Sequence, residues 1–395
     1  MAELTLEEFE NYDVTEMGHD ELKDFIKTFH DAHPDETVWN LNKWNVRNMT
    51  DMSYLFNFCK RLTKLIIDAW DTQNVENMSG MFEGCEKLAE LDLSTFNTEN
   101  VTSMKRMFRW CVSLTSLNIS SFNTRNVKCM AKMFSWCELL PELNLSSFDT
   151  ENVTDMNNMF CHCKLLTKLD LSNFSTNNVE NMMGMFYGCA SLTELDLSSF
   201  NVKNAKDMPD MFRGCVSLTE LNLSSFNTEN VKDMTDMFRD CRSLTDIDLP
   251  NFTSTSLEDA SGMFRSCWKL KSVNLPNFPM KSVKRTEAMF YRCRSLECLN
   301  IPFQLSSVGN MSFMFVKCRK LKEIKIPDLG NKLSIAYSMF DTTCKSLTTV
   351  EIPPLGNAKI SLTMLIKLKQ LNVPENVYEN TEVYCNEISL KYYRP

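Results

Sequence analysis

Glycine is scarce in this chain, at 10 of 395 residues, and 43 % of the residues are apolar. That balance excludes a collagen-like helix and a disordered polar chain. Histidine is rarer still, with 4 residues, and neither a glycine-rich phosphate loop nor a nucleophile–base pairing stands out. Catalysis therefore has nothing specific to rest on. No run of 18 uncharged apolar residues occurs, so no transmembrane helix is expected. The start, MAELTLEEFENYDVTEMGHDELKDF, lacks a basic segment followed by an apolar one and does not read as a secretory signal. These absences predict a cytoplasmic, non-enzymatic protein with no cofactor and no small-molecule substrate. The alternative is display at the cell surface, should a leader have been removed.

What the chain does have is a clock. Cysteine recurs every 26 residues from Cys59 to Cys293, then at Cys318 and Cys344. The phrase around it recurs too, as in LAELDLSTFNTENVTSMKRMFRWC, which ends at Cys111. A fixed period of this length is the mark of a solenoid, whose units bury their apolar faces only by stacking on one another. Twelve of the 16 cysteines fall at this one repeat position, which suits a small buried hydrophobe and not a disulfide framework or a compact zinc site. Sequons include Asn100, Asn118, Asn144 and Asn152, several of them at positions that the repeat needs packed, where sugars would intrude on a secretory route.

Within one unit, Leu91 and Leu93 alternate with Glu90, Asp92 and Ser94, the pattern of a short strand with one buried face. Val101, Met104, Met107, Phe108 and Cys111 then follow at spacings that predict a short amphipathic helix, capped by Thr98 or Asn100. The expected fold is an α/β repeat: a solenoid with one short parallel strand and one short helix per coil, about 12–14 coils. The columns hold along the chain, with phenylalanine at Phe82, Phe108, Phe134 and onward, and asparagine at Asn74, Asn100, Asn126 and onward. Strands are followed by Ser until about Leu249 and by Pro afterwards, and proline past a strand ends the ladder. The domain reading is a helical cap over 1–38, the solenoid over 39–375, and a C-terminal cap over 376–395.

The phrase LDLSSFNTxNVxxMxxMFxGC closely resembles the BspA-like leucine-rich repeats of bacterial surface proteins, across nearly the whole of residues 39–375. The resemblance implies a leucine-rich-repeat solenoid used for binding, often adhesion to proteins or cells, with no catalytic residues to carry over. The chain lacks that family's signal, its lipid-attachment cysteine near the start and its wall anchor, which leaves the interaction role standing.

A partner protein is expected to meet either the strand face or an edge of the coils. The outward strand positions supply Glu90, Asp92, Glu142, Asp170, Glu194, Asp196, Glu220, Asp246 and Asp248. Crowded carboxylates repel, and a cationic partner would relieve that cost. The plainer reading is that these residues keep a strand face soluble and form side-chain ladders. Calcium lacks a loop with the compact ligand set it needs. The edge candidates are Trp110 and Trp136, in one column just before the cysteine, and the basic residues Arg213, Arg239, Arg265, Arg294 and Arg319. Tandem tryptophans are either a hot spot or packing across two coils. The basic stripe suits an acidic protein surface better than nucleic acid, because aromatic interleaving is limited to Trp268 and Tyr291. Charge is also split along the chain: residues 1–100 hold 21 acidic and 8 basic side chains, and residues 261–330 hold 4 acidic and 13 basic.

Overall fold

The computed structural model describes residues 4–304, 307–326, 339–341, 343–351 and 370–372. The expected C-terminal cap lies outside them. The chain forms two compact units, Met1–Asn201 and Val202–Pro395.

The first unit begins with two helices, α1 (Leu6–Glu10) and α2 (His19–Ala32). Thr5 and Glu8 close α1 with a reciprocal capping box, satisfying donors that a helix start leaves orphaned. Leu22, Phe25, Ile26 and Phe29 recur at helical spacing on α2 and are buried. The Phe9 ring stacks on Phe29 at 3.8 Å and meets Trp39 and Trp44 edge-on at 5.3 and 5.1 Å. The Trp44 indole N–H donates to the Phe9 carbonyl at 3.1 Å. The helices thus cover the aromatic end of the first coil, which would otherwise meet water.

Parallel three-residue strands follow. In the first unit they are β1 (Val38–Asn40), β2 (Lys64–Ile66), β3 (Glu90–Asp92), β4 (Ser116–Asn118) and β5 (Glu194–Asp196). β1 to β4 form one sheet whose register repeats the sequence period, Val38 opposite Lys64 and Leu91 opposite Leu117. The first strand starts one residue earlier than the alternation at Trp39–Leu41 suggests. The expected strands at Glu142–Asn144 and Lys168–Asp170 do not form: both segments are irregular chain. The second unit carries β6 (Glu220–Asn222), β7 (Asp246–Asp248), β8 (Ser272–Asn274), β9 (Cys298–Asn300), β10 (Glu323–Lys325), β11 (Thr349–Glu351) and β12 (Gln370–Asn372). β7, β8 and β9 make one sheet in that unit and β10, β11 and β12 another.

The solenoid stands, but among the described residues the second limb of the coils is not a helix. Over Met104–Cys111 alternate amides leave the coil: the N–H groups of Met104, Arg106, Phe108 and Trp110 donate to the carbonyls of Cys129, Ala131, Met133 and Ser135 one coil on. The intervening amides close tight turns, Met107 to the Met104 carbonyl and Cys111 to that of Phe108. Two positions per limb take positive φ, as at Arg106 (60°) and Trp110 (63°). Spacing decides the matter. Packed helices need about 8–10 Å between axes, whereas strands stack about 4.8 Å apart. The phenylalanines on the limb lie 5.6 to 5.8 Å apart from coil to coil, at Phe108–Phe134 and Phe134–Phe160, too close for helices. A limb of turns keeps step with the strands and adds a second parallel ladder of bridges, Asp51–Asn77–Ser103–Cys129–Asp155–Asn181 in the first unit.

Each conserved column of the unit serves the stack. Thr98 does not cap a helix: it is fully buried, donates to the Asn123 carbonyl at 2.9 Å and accepts the Asn123 N–H at 2.8 Å. Thr72, Thr124, Thr150 and Thr176 repeat the motif one coil apart. Asn100 donates back to the Gln73 carbonyl, and Asn126, Asn152 and Asn178 do likewise. The column cysteine is a donor as well as a packing atom. Cys111 Sγ reaches the Phe82 carbonyl at 3.2 Å, and Cys137, Cys163 and Cys241 repeat the contact with the preceding coil's phenylalanine.

A hydrogen-bonded, buried thiol resists ionisation. Burial pushes both Cys59 and Cys111 up to about 12. Since the thiolate is the nucleophile, the column should be inert in the folded protein. At pH 8 a maleimide probe should label exposed Cys298 within minutes and Cys111 or Cys137 only after denaturation, as read by mass spectrometry. Fast native labelling of the column would refute its burial.

Candidate functional site

All nine strand-face candidates point outward, but they divide by role. The second column closes the strand. Asp92 accepts the Ser94 N–H at 2.9 Å, Asp170 that of Ser172 at 3.0 Å, and Asp196 that of Ser198 at 2.9 Å. These are Asx turns, in which a short carboxylate stands in for a backbone acceptor. The Ser94 hydroxyl and amide hold Asp92 below the usual carboxylate range, and the Ser172 amide and hydroxyl do so for Asp170. In the proline-type coils this closure is impossible, because Pro250, Pro276 and Pro302 have no N–H to give. There the column links coil to coil instead: Asn274 donates to Asp248 at 2.7 Å, and Asn300 donates to Asn274. Asp246 takes the Ser272 hydroxyl at 2.6 Å, which with Thr245 holds it below the ordinary carboxylate range.

The first column, to which Asp246 also belongs, differs at its glutamates. Glu90, Glu142, Glu194 and Glu220 are exposed and have neither a hydrogen bond nor an ion pair from their carboxylates among the described residues. Glu90 and Asp92 line a depression of about 370 Å³ with Lys64, Asp68, Ser116 and Asn118. Glu142 stands on a coil without a strand.

At the limb edge the tryptophans pack along the stack. Trp110 lies 3.8 Å from the Arg109 guanidinium and 6.1 Å from the Phe58 ring, two coils back. The intervening coil has Gly84, at φ 77°, where a Cβ would sit 2.4 Å from the Phe58 ring. Trp136 meets His162 at 4.1 Å, with the Lys164 ammonium 5.5 Å from its ring. Both indoles are half-buried, so the packing reading describes them. The buried pair beneath them escapes a reading of Trp110 alone. Arg109 holds Glu83 at 2.8 Å, and the signal is an opposite charge at the same repeat position 26 residues earlier.

The basic stripe also divides. Arg213 is neutralised by Asp210 at 3.0 Å and Arg239 by Asp236 at 2.8 Å, while burial raises the Asp210 carboxyl. Further along, cations gather on aromatic rings. Arg242 and Arg294 lie 4.3 and 4.7 Å from the Trp268 ring, and Arg265 and Arg292 lie 5.2 and 5.1 Å from Tyr291. Arg265, Arg292, Arg294 and Arg319 have no carboxylate within ion-pair distance among the described residues.

No group of three or more metal-ligating side chains occurs among the described residues. Cys161 is buried and the His162 ring lies against Trp136 and Tyr187, so neither waits for a metal. His30, in the last turn of α2, is buried beside Arg61, and burial lowers its pKa. No helix among the described residues is long and apolar enough to cross a membrane.

The fold has counterparts. A leucine-rich repeat protein from Bacteroides ovatus is 19% identical, with 88% of each chain covered and a TM-score of 0.52. A leucine rich cell surface protein from Faecalibacterium prausnitzii is 19% identical over 84% of this chain and 80% of that one, with a TM-score of 0.42. The pneumococcal vaccine antigen PcpA is 17% identical over 90% and 80%, with a TM-score of 0.47. The first of these supports the leucine-rich-repeat fold, and none carries a ligand across to this chain. No curated protein matches significantly. A family described as a BspA type leucine rich repeat region, six copies, matches residues 286–393. A second, described as a Mycoplasma protein of unknown function, DUF285, matches at 23–141, 112–222, 139–249 and 217–328. With the 26-residue unit matched over most of its length, the chain is a BspA-type leucine-rich-repeat protein and belongs to the DUF285 family.

Proposed function

We propose that the protein is a non-enzymatic scaffold that binds another protein through its strand face, with Glu90, Glu142 and Glu194 in the first unit as the contact column. One observation carries the reading. The threonine, asparagine, cysteine and aspartate columns are all spent on joining or closing coils, whereas these glutamates hold no internal partner. Exposed carboxylates repeated on every second coil, with Ser116 and Lys168 between them, suit a basic protein surface. The setting is read as cytoplasmic, with surface display as the alternative; the column thiols, buried and hydrogen-bonded, are compatible with either. Labelling of this chain by a membrane-impermeant reagent on intact cells would favour the adhesin alternative.

Triple charge reversal, Glu90→Lys, Glu142→Lys and Glu194→Lys, tests the surface. The variant should melt within a few degrees of the wild type, since exposed substitutions usually change stability by less than about 0.5 kcal/mol each. As bait in extract of the source organism it should lose the basic proteins that the wild type retains. An unchanged retained set removes the strand face from consideration.

A further inference from the structure

Of the four arginines on Trp268 and Tyr291, Arg242 pairs with Asp240 at 3.0 Å, while Arg265, Arg292 and Arg294 have no carboxylate within ion-pair distance among the described residues. The N-terminal segment has the reverse imbalance. Residues 1–38 hold 12 acidic side chains against 2 basic ones, Lys23 and Lys27. Some of that charge is used locally: Glu8 serves the α1 cap and Asp31 pairs with Lys27. Glu7, Glu16, Glu21, Asp24 and Asp35 are exposed and make no side-chain ion pair among the described residues. Tyr12, 40 % exposed, adds an apolar element beside them against Phe25.

In the second unit, the Trp268 and Tyr291 rings each hold two guanidiniums against them, which fixes those long side chains and lowers the entropy lost on binding. A planar guanidinium held on a ring still offers its outer N–H edge to a carboxylate. The same rings, already engaged by cations, are poor platforms for stacking bases, which favours an acidic protein surface over a nucleic acid strand.

We propose that the chain self-associates, the acidic N-terminal cap of one copy docking on the Arg265, Arg292 and Arg294 edge of a second. The two surfaces are different, so the contact is heterologous and either closes into a ring or continues from copy to copy. Being built from exposed carboxylates and half-buried guanidiniums at the surface, it is sensitive to salt. The proposal does not depend on what the strand face binds.

Sedimentation velocity of the full chain at 50 and 500 mM NaCl tests it. Association that weakens at least about 10-fold at the higher salt is expected, because the Debye length falls below contact-patch dimensions. Arg265→Glu with Arg294→Glu should abolish it, and so should Glu21→Arg with Asp24→Arg, with melting curves close to wild type. Mixing the two charge-reversed chains should restore association, which a loss of folding cannot do. A monomer at low salt overturns the proposal, and so does association that survives both reversals. If the monomer instead binds a duplex or single-stranded oligonucleotide and loses it with the arginine variant, the edge is a phosphate site and the proposal is wrong.

Discussion

Phe134→Ala is expected to destabilise the first unit by about 3–5 kcal/mol, the range for emptying a fully buried phenylalanine site. Phe134 has no solvent exposure and lies between two rings of its own column. Phe108 is 5.6 Å away at 9° and Phe160 is 5.8 Å away at 6°, so each contact is an offset stack. Truncation removes both contacts and leaves a void between limbs that cannot collapse, because the inter-coil hydrogen bonds of Met133, Phe134 and Cys163 hold the spacing. Urea titration followed by far-UV circular dichroism measures the loss. Phe134→Leu, which leaves a smaller void, should fall well short of it. A cost below about 1 kcal/mol for the alanine variant would mean that the column is not a continuous core. In a solenoid the damage should stay with nearest neighbours, so a probe on the α2 cap should report less change than one at Met159.

How far the sequence carries is clearest on the two limbs of one coil. Leu91 and Leu93 alternate with polar residues, and only a strand has that period, so β3 and its 26-residue register were legible. Val101, Met104, Met107, Phe108 and Cys111 are different. Steps of three and one suit an apolar helix stripe, and they suit equally a run of turns closed from Met107 to Met104 and from Cys111 to Phe108. Spacing alone does not separate these two. Residue type does: Gly80, Asn158, Gly184, Asp210, Asp236 and Gly262 fill one column and Gly84, Gly188, Gly214 and Asp240 another, four residues later. Glycine, asparagine and aspartate are the residues that accept positive φ. Arg106, Trp110, Lys132 and Trp136 hid the signal, since inter-coil hydrogen bonds force the same backbone on residues that do not favour it.

The surface was less legible for a related reason. Alternation marks Asp92 and Asp170 as exposed, which they are, but it is silent on whether their oxygens are already engaged. The serine two residues on was the available sign. The basic stripe was legible only in part: an aspartate three residues earlier marks Arg239 as paired with Asp236, whereas Arg265 has Gly262 there and rests on a tyrosine of the next coil, a contact that local sequence does not show.

Thr124→Val puts the staple between coils to its sharpest test. Thr124 is fully buried, donates to the Asp149 carbonyl at 2.7 Å and accepts the Asp149 N–H at 2.8 Å. Valine keeps the shape and is more apolar, so a packing account of this column predicts little change or a gain. The hydrogen-bond account predicts a loss of about 2–4 kcal/mol, since two bonds go and the part-buried Asp149 amide and carbonyl lose their partner. Thr124→Ser reverses the comparison. It retains the hydroxyl and gives up one methyl group, worth about 0.8 kcal/mol of burial. The expected order of stability is therefore threonine, then serine, then valine, measured by urea unfolding, with the Asp149 amide losing hydrogen-exchange protection only in the valine variant. Serine below valine would return the column to simple packing. The predicted order would establish that coils in this solenoid are fastened by buried hydroxyls as well as by stacked rings.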